Sequence, residues 1–503
     1  MFVRKKQNKS GVISVQVIAK QNRKSKLIKT IGSSSDNTEI ERLLAEGKKF
    51  IENYGGQQSF DFYSNITIVE NIVKNIISHK EIGTELLLGK IFDDIGFNKI
   101  DDKIFRYLVF ARLSCPVSKL KTSDYLNRYK DINIPVQKIY RYLDKLYINQ
   151  KARIQPISYA HTLKVLGGII SVVFYDVTTL YFQIDQEDEL RKRGFSKEGK
   201  HQNPQIILGL LVSVGGYPLA YEIHEGNKYE GHTMLPILDS FKKKYDISKL
   251  VIIADSGLLS TSNIDELQEK GYDFILGARI KNESSNIKEQ ILSLNLTNGQ
   301  STIIEKNKVL KIIISYSDKR AKRDKHNRER GLQKLEKRVQ TGKLTKANIN
   351  NRGYNKYLKM DGDISVSIDM EKFEKDAKWD GLKGYITNTC LTNDEIIENY
   401  SHLWKIEKAF RISKHDLKVR PIYHRIRKRI EAHITINFVA YKIYKELERQ
   451  LKLKQANISP EKAIEIAKTI FQIEVKLENG IHVTQKLILS DEQKYLAELF
   501  GFG

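Results

Sequence analysis

Apolar and polar positions alternate from residue 11 to residue 31 around a basic turn, which predicts a pair of strands. The next stretch, "DNTEIERLLAEGKKFIENYGG", changes to a helical period, with Asp36 or Asn37 as cap and Gly55 as stop. From about 66 to 150 the period stays helical. In "NIPVQKIYRYLDKLY", Pro135 stands near the first turn and Lys138, Arg141 and Lys145 recur along the helix, as in either a plain helical domain or one that binds DNA ends. Between 165 and 280 the pattern becomes that of an α/β core with a mixed sheet: a strand at 168–182, a hairpin of 204–214 and 217–224, a helix near 231–245, and strands in "KLVIIADSG" and "YDFILGAR".

Residues 283–378 interrupt that core with the β-like "STIIEKNKVLKIIISYS", a strongly basic run, and "GDISVSIDM". After them "GLKGYITNT" predicts one more strand, and "NDEIIENYSHLWKIEKAFRISKH" one long helix capped by Asn393 or Thr392. The last fifty residues predict a helix, two strands and a final helix, and no internal repeat is visible.

Charge sharpens this picture. The chain of 503 residues has 85 Lys and Arg against 61 Asp and Glu, a net +24. Residues 1–35 and 318–346 together carry +17 of it, which points to patches that meet phosphate backbones, with solvated faces as the plain alternative. Only Cys115 and Cys390 are present, too few for a disulfide framework or a cysteine metal site, so a reducing compartment is expected. The N-terminus lacks the apolar core of a signal peptide, and the longest apolar stretch, "IILGLLVSVGGYPLAY", is broken by Gly215, Gly216 and Pro218, so no membrane partner is expected.

Three acids stand out. Asp176 interrupts the apolar "FYDVTTLYF", where a carboxylate on a strand covered on both faces needs a structural partner or a function. Asp255 ends "VIIADSG", either as a turn residue or as a ligand-facing acid at a strand's carboxyl end. Tyr400, Trp404, Glu407, Arg411 and Lys414 recur at spacings of 4, 3, 4 and 3, one stripe of the predicted helix, with Leu403, Ile406 and Phe410 as its packing side. Two Asp and a Glu form an all-oxygen set suited to two Mg²⁺ or Mn²⁺ ions and to phosphodiester chemistry. Arg411 and Lys414 would then hold flanking phosphates, while Tyr400 and Trp404 would contact a displaced nucleotide. Arg420, His424 and Arg425 in "VRPIYHRIRKRIEAHI" are candidates for further DNA backbone contact or for solvated helix charge. The Gly194-to-Lys200 spacing of "GFSKEGK" imitates a phosphate-binding loop, but His201 stands where the motif needs Ser or Thr and no buried strand precedes it.

"FYDVTT", "IIADSG" and "YSHLWKIEKAFRISK" together resemble the bacterial insertion-sequence DDE transposases of the insertion-sequence-four type, marked by Tyr-x2-Arg-x3-Glu-x6-Lys. Tyr400, Glu407 and Lys414 match that signature, whereas its Arg position holds Leu403, which would weaken the phosphate grip that the resemblance implies or move it to Lys405 or Arg411. The resemblance implies an α/β, RNase H-like catalytic core at 165–282 and 379–450, interrupted by an inserted β-rich basic domain at 283–378. A small basic α+β start at 1–60 and a helical region at 61–160, the candidate for binding DNA ends, are expected before the core, and an α+β segment at 451–503 after it. The resemblance further implies that Asp176, Asp255 and Glu407 hold the metals, that the partners are double-stranded element ends and target DNA, that two copies act in a synaptic complex, and that the protein works in the cytoplasm at the nucleoid. The rival expectations are an RNase H-fold nuclease without strand transfer and a non-catalytic DNA-binding descendant of a transposase.

Overall fold

A computed structural model describes all residues except 22–23, 55–69, 71, 197–198, 248, 259, 342–343, 345–347, 351–352, 362–364 and 478–479. The stop expected at Gly55 and part of the loop at 194–200 lie outside the described residues. The chain divides into two compact units, Met1–Ser78 with Ile473–Gln485 and His79–Gln472 with Lys486–Gly503.

In the first unit, β1 (Phe2–Gln7), β2 (Ile13–Gln21) and β3 (Lys24–Ser34) form an antiparallel sheet. The helix α1 (Asn37–Asn53) covers it, capped by Asp36, whose carboxylate accepts the Thr38 N–H. Val15, Ile40 and Leu43 make the small core between sheet and helix, while Arg4, Lys5, Lys6, Lys9, Lys20, Lys24, Lys26 and Lys29 face solvent.

β4 (Ile76–Glu81) leads into a helical layer of α2 (Gly83–Ile95), α3 (Lys103–Ser114), α4 (Lys119–Lys130), α5 (Val136–Lys145) and α6 (Lys151–Val165). The central sheet starts with β5 (Val172–Tyr181), β6 (Gln205–Ser213) and β7 (Pro218–Glu225), a pure antiparallel meander. After α7 (Met234–Tyr245), β8 (Val251–Ala254) returns parallel to β5; after α8 (Thr261–Glu269), β9 (Asp273–Ala278) lies parallel to β8.

The chain then runs through α9 (Ser285–Leu292), the hairpin β10 (Ser301–Glu305) and β11 (Lys311–Tyr316), and α10 (Asp318–Gln340). The ladder β12 (Leu358–Asp361) with β13 (Ser365–Ile368) and α11 (Met370–Ala377) complete that stretch. The basic run expected among β-like sequence is thus largely a 23-residue helix, α10. β14 (Leu382–Thr387) inserts between β9 and β11, giving an eight-stranded sheet ordered β10-β11-β14-β9-β8-β5-β6-β7.

α12 (Asn393–Ser401) and α13 (Trp404–Arg411) precede α14 (Arg427–Leu453), which packs on α2, α3, α5 and α6; α15 (Pro460–Ala467), β15 (Phe471–Lys476), β16 (His482–Leu487) and α16 (Asp491–Phe500) end the chain. No described helix is long and apolar enough to cross a membrane.

The sheet is covered on both faces, which is why its strands read as nearly unbroken apolar runs. Phe174, Leu180, Leu208, Ile253 and Ile275 join the core on the α14 side; Val173, Tyr175, Val177, Ile252 and Phe274 join α7 and α8 on the other. Asp176 departs from the expected burial. It is half-buried, the one position between Val173 and Leu180 that is not buried.

Two buried histidines tie the fold to pH. Burial, reinforced by Lys228, holds the His224 imidazole down to about 4, and burial with Lys442 does the same for His161. Unfolding returns each to its ordinary value of about 6.5. The unfolded chain therefore binds more protons between those values, and stability falls as pH drops from about 6.5 towards 4. Thermal unfolding at pH 7, 6 and 5 should show a falling midpoint, with a shallower fall for His224→Gln; an equally steep fall in that variant would exclude His224 as a source.

Candidate active site

Side chains on a strand alternate between faces, so Asp176 shares the α14 side with Phe174 and Leu180. Ile253 of β8 lies on that side, and the same alternation assigns it to Asp255, one residue past the strand end. The parallel register sets Tyr175 opposite Ala254, so the next residues, Asp176 and Asp255, occupy neighbouring strand positions, at a backbone spacing of about 5 Å. Each carboxylate is steadied locally: the Val177 N–H donates to Asp176 Oδ1 and the Ser256 N–H to Asp255 Oδ1, both at 2.7 Å. Asp255 is exposed, and β8 stops there because the chain turns through Ser256–Leu258.

The expected single helix at 393–415 is instead three pieces. Thr392 and Glu395 form a capping box that starts α12, a turn at His402 and Leu403 separates it from α13, and a π-helical turn, Ile412–Asp416, follows. The stripe from Tyr400 to Lys414 is therefore not one helical face, because Tyr400 precedes the break and Lys414 lies in the π turn. The packing side is as expected: Leu403, Ile406 and Phe410 are buried in the core. Leu403, at the position where the signature has Arg, is 7% exposed and has no access to a phosphate.

α12 packs on β8 and β9, and α13 on β5 and β6. The Tyr400 hydroxyl donates to Asp255 Oδ1 at 3.3 Å, and its ring meets Tyr385 at 4.9 Å in an edge arrangement. Burial, then the Asp255 charge, pushes the phenol well above its ordinary range, so it stays a proton donor; Glu407 adds to the shift. Glu407 itself is exposed on α13.

One group the sequence did not single out completes this surface. Lys383 of β14 places its ammonium 4.3 Å from the centre of the Tyr400 ring and 5.1 Å from that of Tyr385. Burial first, then Arg320 and Arg323 at the start of α10, lower its pKa, while Asp255 and Glu407 raise it. One lysine thus senses both acids, which locates Asp255 and Glu407 in one electrostatic neighbourhood. The only sequence signal was alternation: Lys383 shares strand parity with Tyr385.

The other candidates are scattered. Trp404 is exposed, Lys405 is half-buried near Lys445 and Lys452, and Arg411 is exposed with its charge acting on Asp416. Arg420 sits 5.7 Å from the Tyr181 ring centre, His424 packs edge-on to Tyr140, and Arg425 is exposed. Among the described residues no group of three or more His, Cys, Asp or Glu lies close enough to hold a metal ion. The donor chemistry fits a hard divalent cation, since all three acids offer oxygen, and two of them stand on adjacent strands.

The family model described as "Transposase DDE domain" matches residues 168–443, more than half of the chain. No curated protein matches. Among solved structures, a piggyBac transposase synaptic complex with hairpin DNA is similar at 9% identity and a TM-score of 0.39, over 77% of this chain and 78% of that one. A Mos1 transposase paired-end complex with the left transposon end is similar at 10% identity and a TM-score of 0.16, over 46% of this chain and 71% of that one.

Proposed function

The chain belongs to the transposase DDE domain family, and from that premise we propose that it binds the terminal inverted repeats of an insertion sequence, cleaves a strand to free a 3′-OH, and joins that end to target DNA. The observation that carries the reading is the placement of Asp176 and Asp255 side by side, Asp255 just past the carboxyl end of β8 and Asp176 beside it in the middle of β5, with the helix bearing Glu407 packed on β5. The antiparallel β5-β6-β7 meander followed by parallel β8 supports an RNase H-like core, and residues 283–378 are the insertion that separates the second acid from the third.

Asp176, Asp255 and Glu407 would hold Mg²⁺ or Mn²⁺. Such ions, when bound, supply activation of the attacking oxygen and charge stabilisation at the leaving oxygen. The chain's own part is positioning. Tyr400 keeps its proton and fixes Asp255 by donating to one oxygen, leaving the other for the reacting centre. Lys383, with Arg320 and Arg323, offers positive charge beside the acids, where a phosphate entering the site would be held. In this chain Lys383 therefore takes the part that the family signature gives to Arg, because Leu403 is committed to the core. Trp404 is exposed and free to meet a displaced base, and Lys405, Arg411, Lys414 and Arg425 are secondary backbone contacts. The basic sheet of the first unit and the helices before residue 160 are the proposed end-recognition parts, and bringing two ends together calls for two copies.

The test uses labelled candidate ends and a supercoiled target plasmid with Mg²⁺. Covalent joint products are expected. Nicked ends without joining would make the chain a nuclease, and binding without either would make it a DNA-binding protein.

A further inference from the structure

A second cationic site lies on the α14 side of the sheet, between the start of α4 and the loop at 418–424. It is a cavity of about 570 Å³ whose wall includes Arg112, Lys119, Arg420, His424 and His433. Arg112, Lys119 and His433 are each only 5% exposed. Among the described residues no carboxylate is ion-paired with Arg112, Lys119, His424 or His433, and Asp144 nearby on α5 is held by Arg429 at 2.9 Å and Lys428 at 3.7 Å. Burying the Arg112 and Lys119 charges without a counter-charge is costly.

The chain gives its other buried lysines partners of their own. Lys442 donates to Ser158 O and Thr162 Oγ1, and Lys130 is 2.5 Å from a Glu81 carboxylate oxygen. Arg112 donates to the carbonyls of Leu417, Lys418 and Val117 at 3.4–3.5 Å, yet its Nε has no partner. His433 contacts Val419 O through Nε2 at 3.0 Å and leaves Nδ1 without a partner. His424 packs on His433 at 5.4 Å. The N-terminus of α4, capped by Ser118, opens into the same cavity and adds the positive end of its dipole. Burial lowers the Arg112 pKa to about 10, and burial with the neighbouring positive charges lowers His424 to about 3 and Lys119 well below its ordinary value. An anion would relieve both costs at once.

We propose that this cavity is a phosphate-binding pocket, and that its occupant is a backbone phosphate of the DNA strand running past the candidate active site. Arg420 links the two places, since it lines the pocket and lies over Tyr181 at the end of the strand that bears Asp176. Five residues of strand span roughly 16 Å, or about five phosphates at 3.4 Å each. The DNA assignment rests on the proposed function; phosphate binding as such does not.

Lys119→Met, which keeps the stem and removes the charge, separates the possibilities in the full chain. Wild type should melt about 5 °C higher in inorganic phosphate than in chloride at equal ionic strength. The variant should lose that gain, and Lys119→Arg should keep it. For duplex binding, the slope of log affinity against log salt should fall by about 0.9 in Lys119→Met, equally for end and unrelated sequence. An unchanged slope with a lost phosphate gain would overturn the DNA assignment and leave a free-anion site. Wild-type behaviour of Lys119→Met in both measurements would overturn the pocket altogether. A wild-type protein that never cuts DNA yet shows the phosphate gain and salt slope would defeat the proposed function and support the pocket.

Discussion

Asp255→Asn is expected to reduce strand cleavage on the order of 10³-fold or more while leaving duplex affinity within about twofold. Asn keeps an oxygen for the Ser256 N–H at 2.7 Å and for the Tyr400 hydroxyl at 3.3 Å, so the turn after β8 and the seat of α12 survive. What disappears is one negative charge and one of the two Asp255 oxygens where a divalent cation would sit. Affinity is carried by Lys and Arg on phosphates, far more numerous than this one acid. Gel shift and cleavage on the same labelled end, at the same salt, would show the split. Loss of both together would mean that Asp255 is structural.

Gly277→Ala is expected to reach the same site without touching an acid. A Cβ on this β9 residue would lie 2.5 Å from the Tyr400 hydroxyl and 3.0 Å from the backbone nitrogen of Ser256. Neither can yield freely: Tyr400 is buried against Tyr385, and Ser256 follows Asp255 directly. Relief requires Tyr400 or the Asp255–Ser256 turn to move by several tenths of an ångström or more. Overpacking of this kind costs about 1–3 kcal/mol of stability, and a displacement near 1 Å at a reacting group costs about 10²-fold in rate. Gly277→Ala should therefore fold, bind DNA and cleave about 100-fold more slowly. Pairing it with Tyr400→Phe, which removes the clashing oxygen, should recover part of the rate; no recovery would place the damage at Ser256 instead.

The legible parts of the chain were those where periodicity met burial. The strands of the central sheet stood out because both faces are covered, and Asp176 stood out because it breaks such a run. Asp255 was visible as the acid on which an apolar strand stops. The helix after residue 392 was misread as continuous because nothing between Ser401 and Trp404 is a Gly or Pro; the break at His402 and Leu403 comes from tertiary packing that buries Leu403. Lys383 was hidden in "GLKGYITNT", since one lysine in a strand looks like a solvated position until the sheet order puts β14 next to β9. That order, with β10 and β11 joined to the same sheet from within the 283–378 segment, depends on pairings far apart in sequence that local pattern does not encode. The pocket around Lys119 was equally invisible, because Arg112 and His433 are more than three hundred residues apart.

The central claim is that Asp176, Asp255 and Glu407 act as one unit. Cleavage rates of Asp176→Asn, Asp255→Asn, Glu407→Gln and the pairwise doubles on one labelled end measure that directly. Groups that work together are strongly non-additive, so each double is expected to be no slower than its slower single. Losses that multiply in the doubles, or a Glu407→Gln protein that cuts at the wild-type rate, would contradict it.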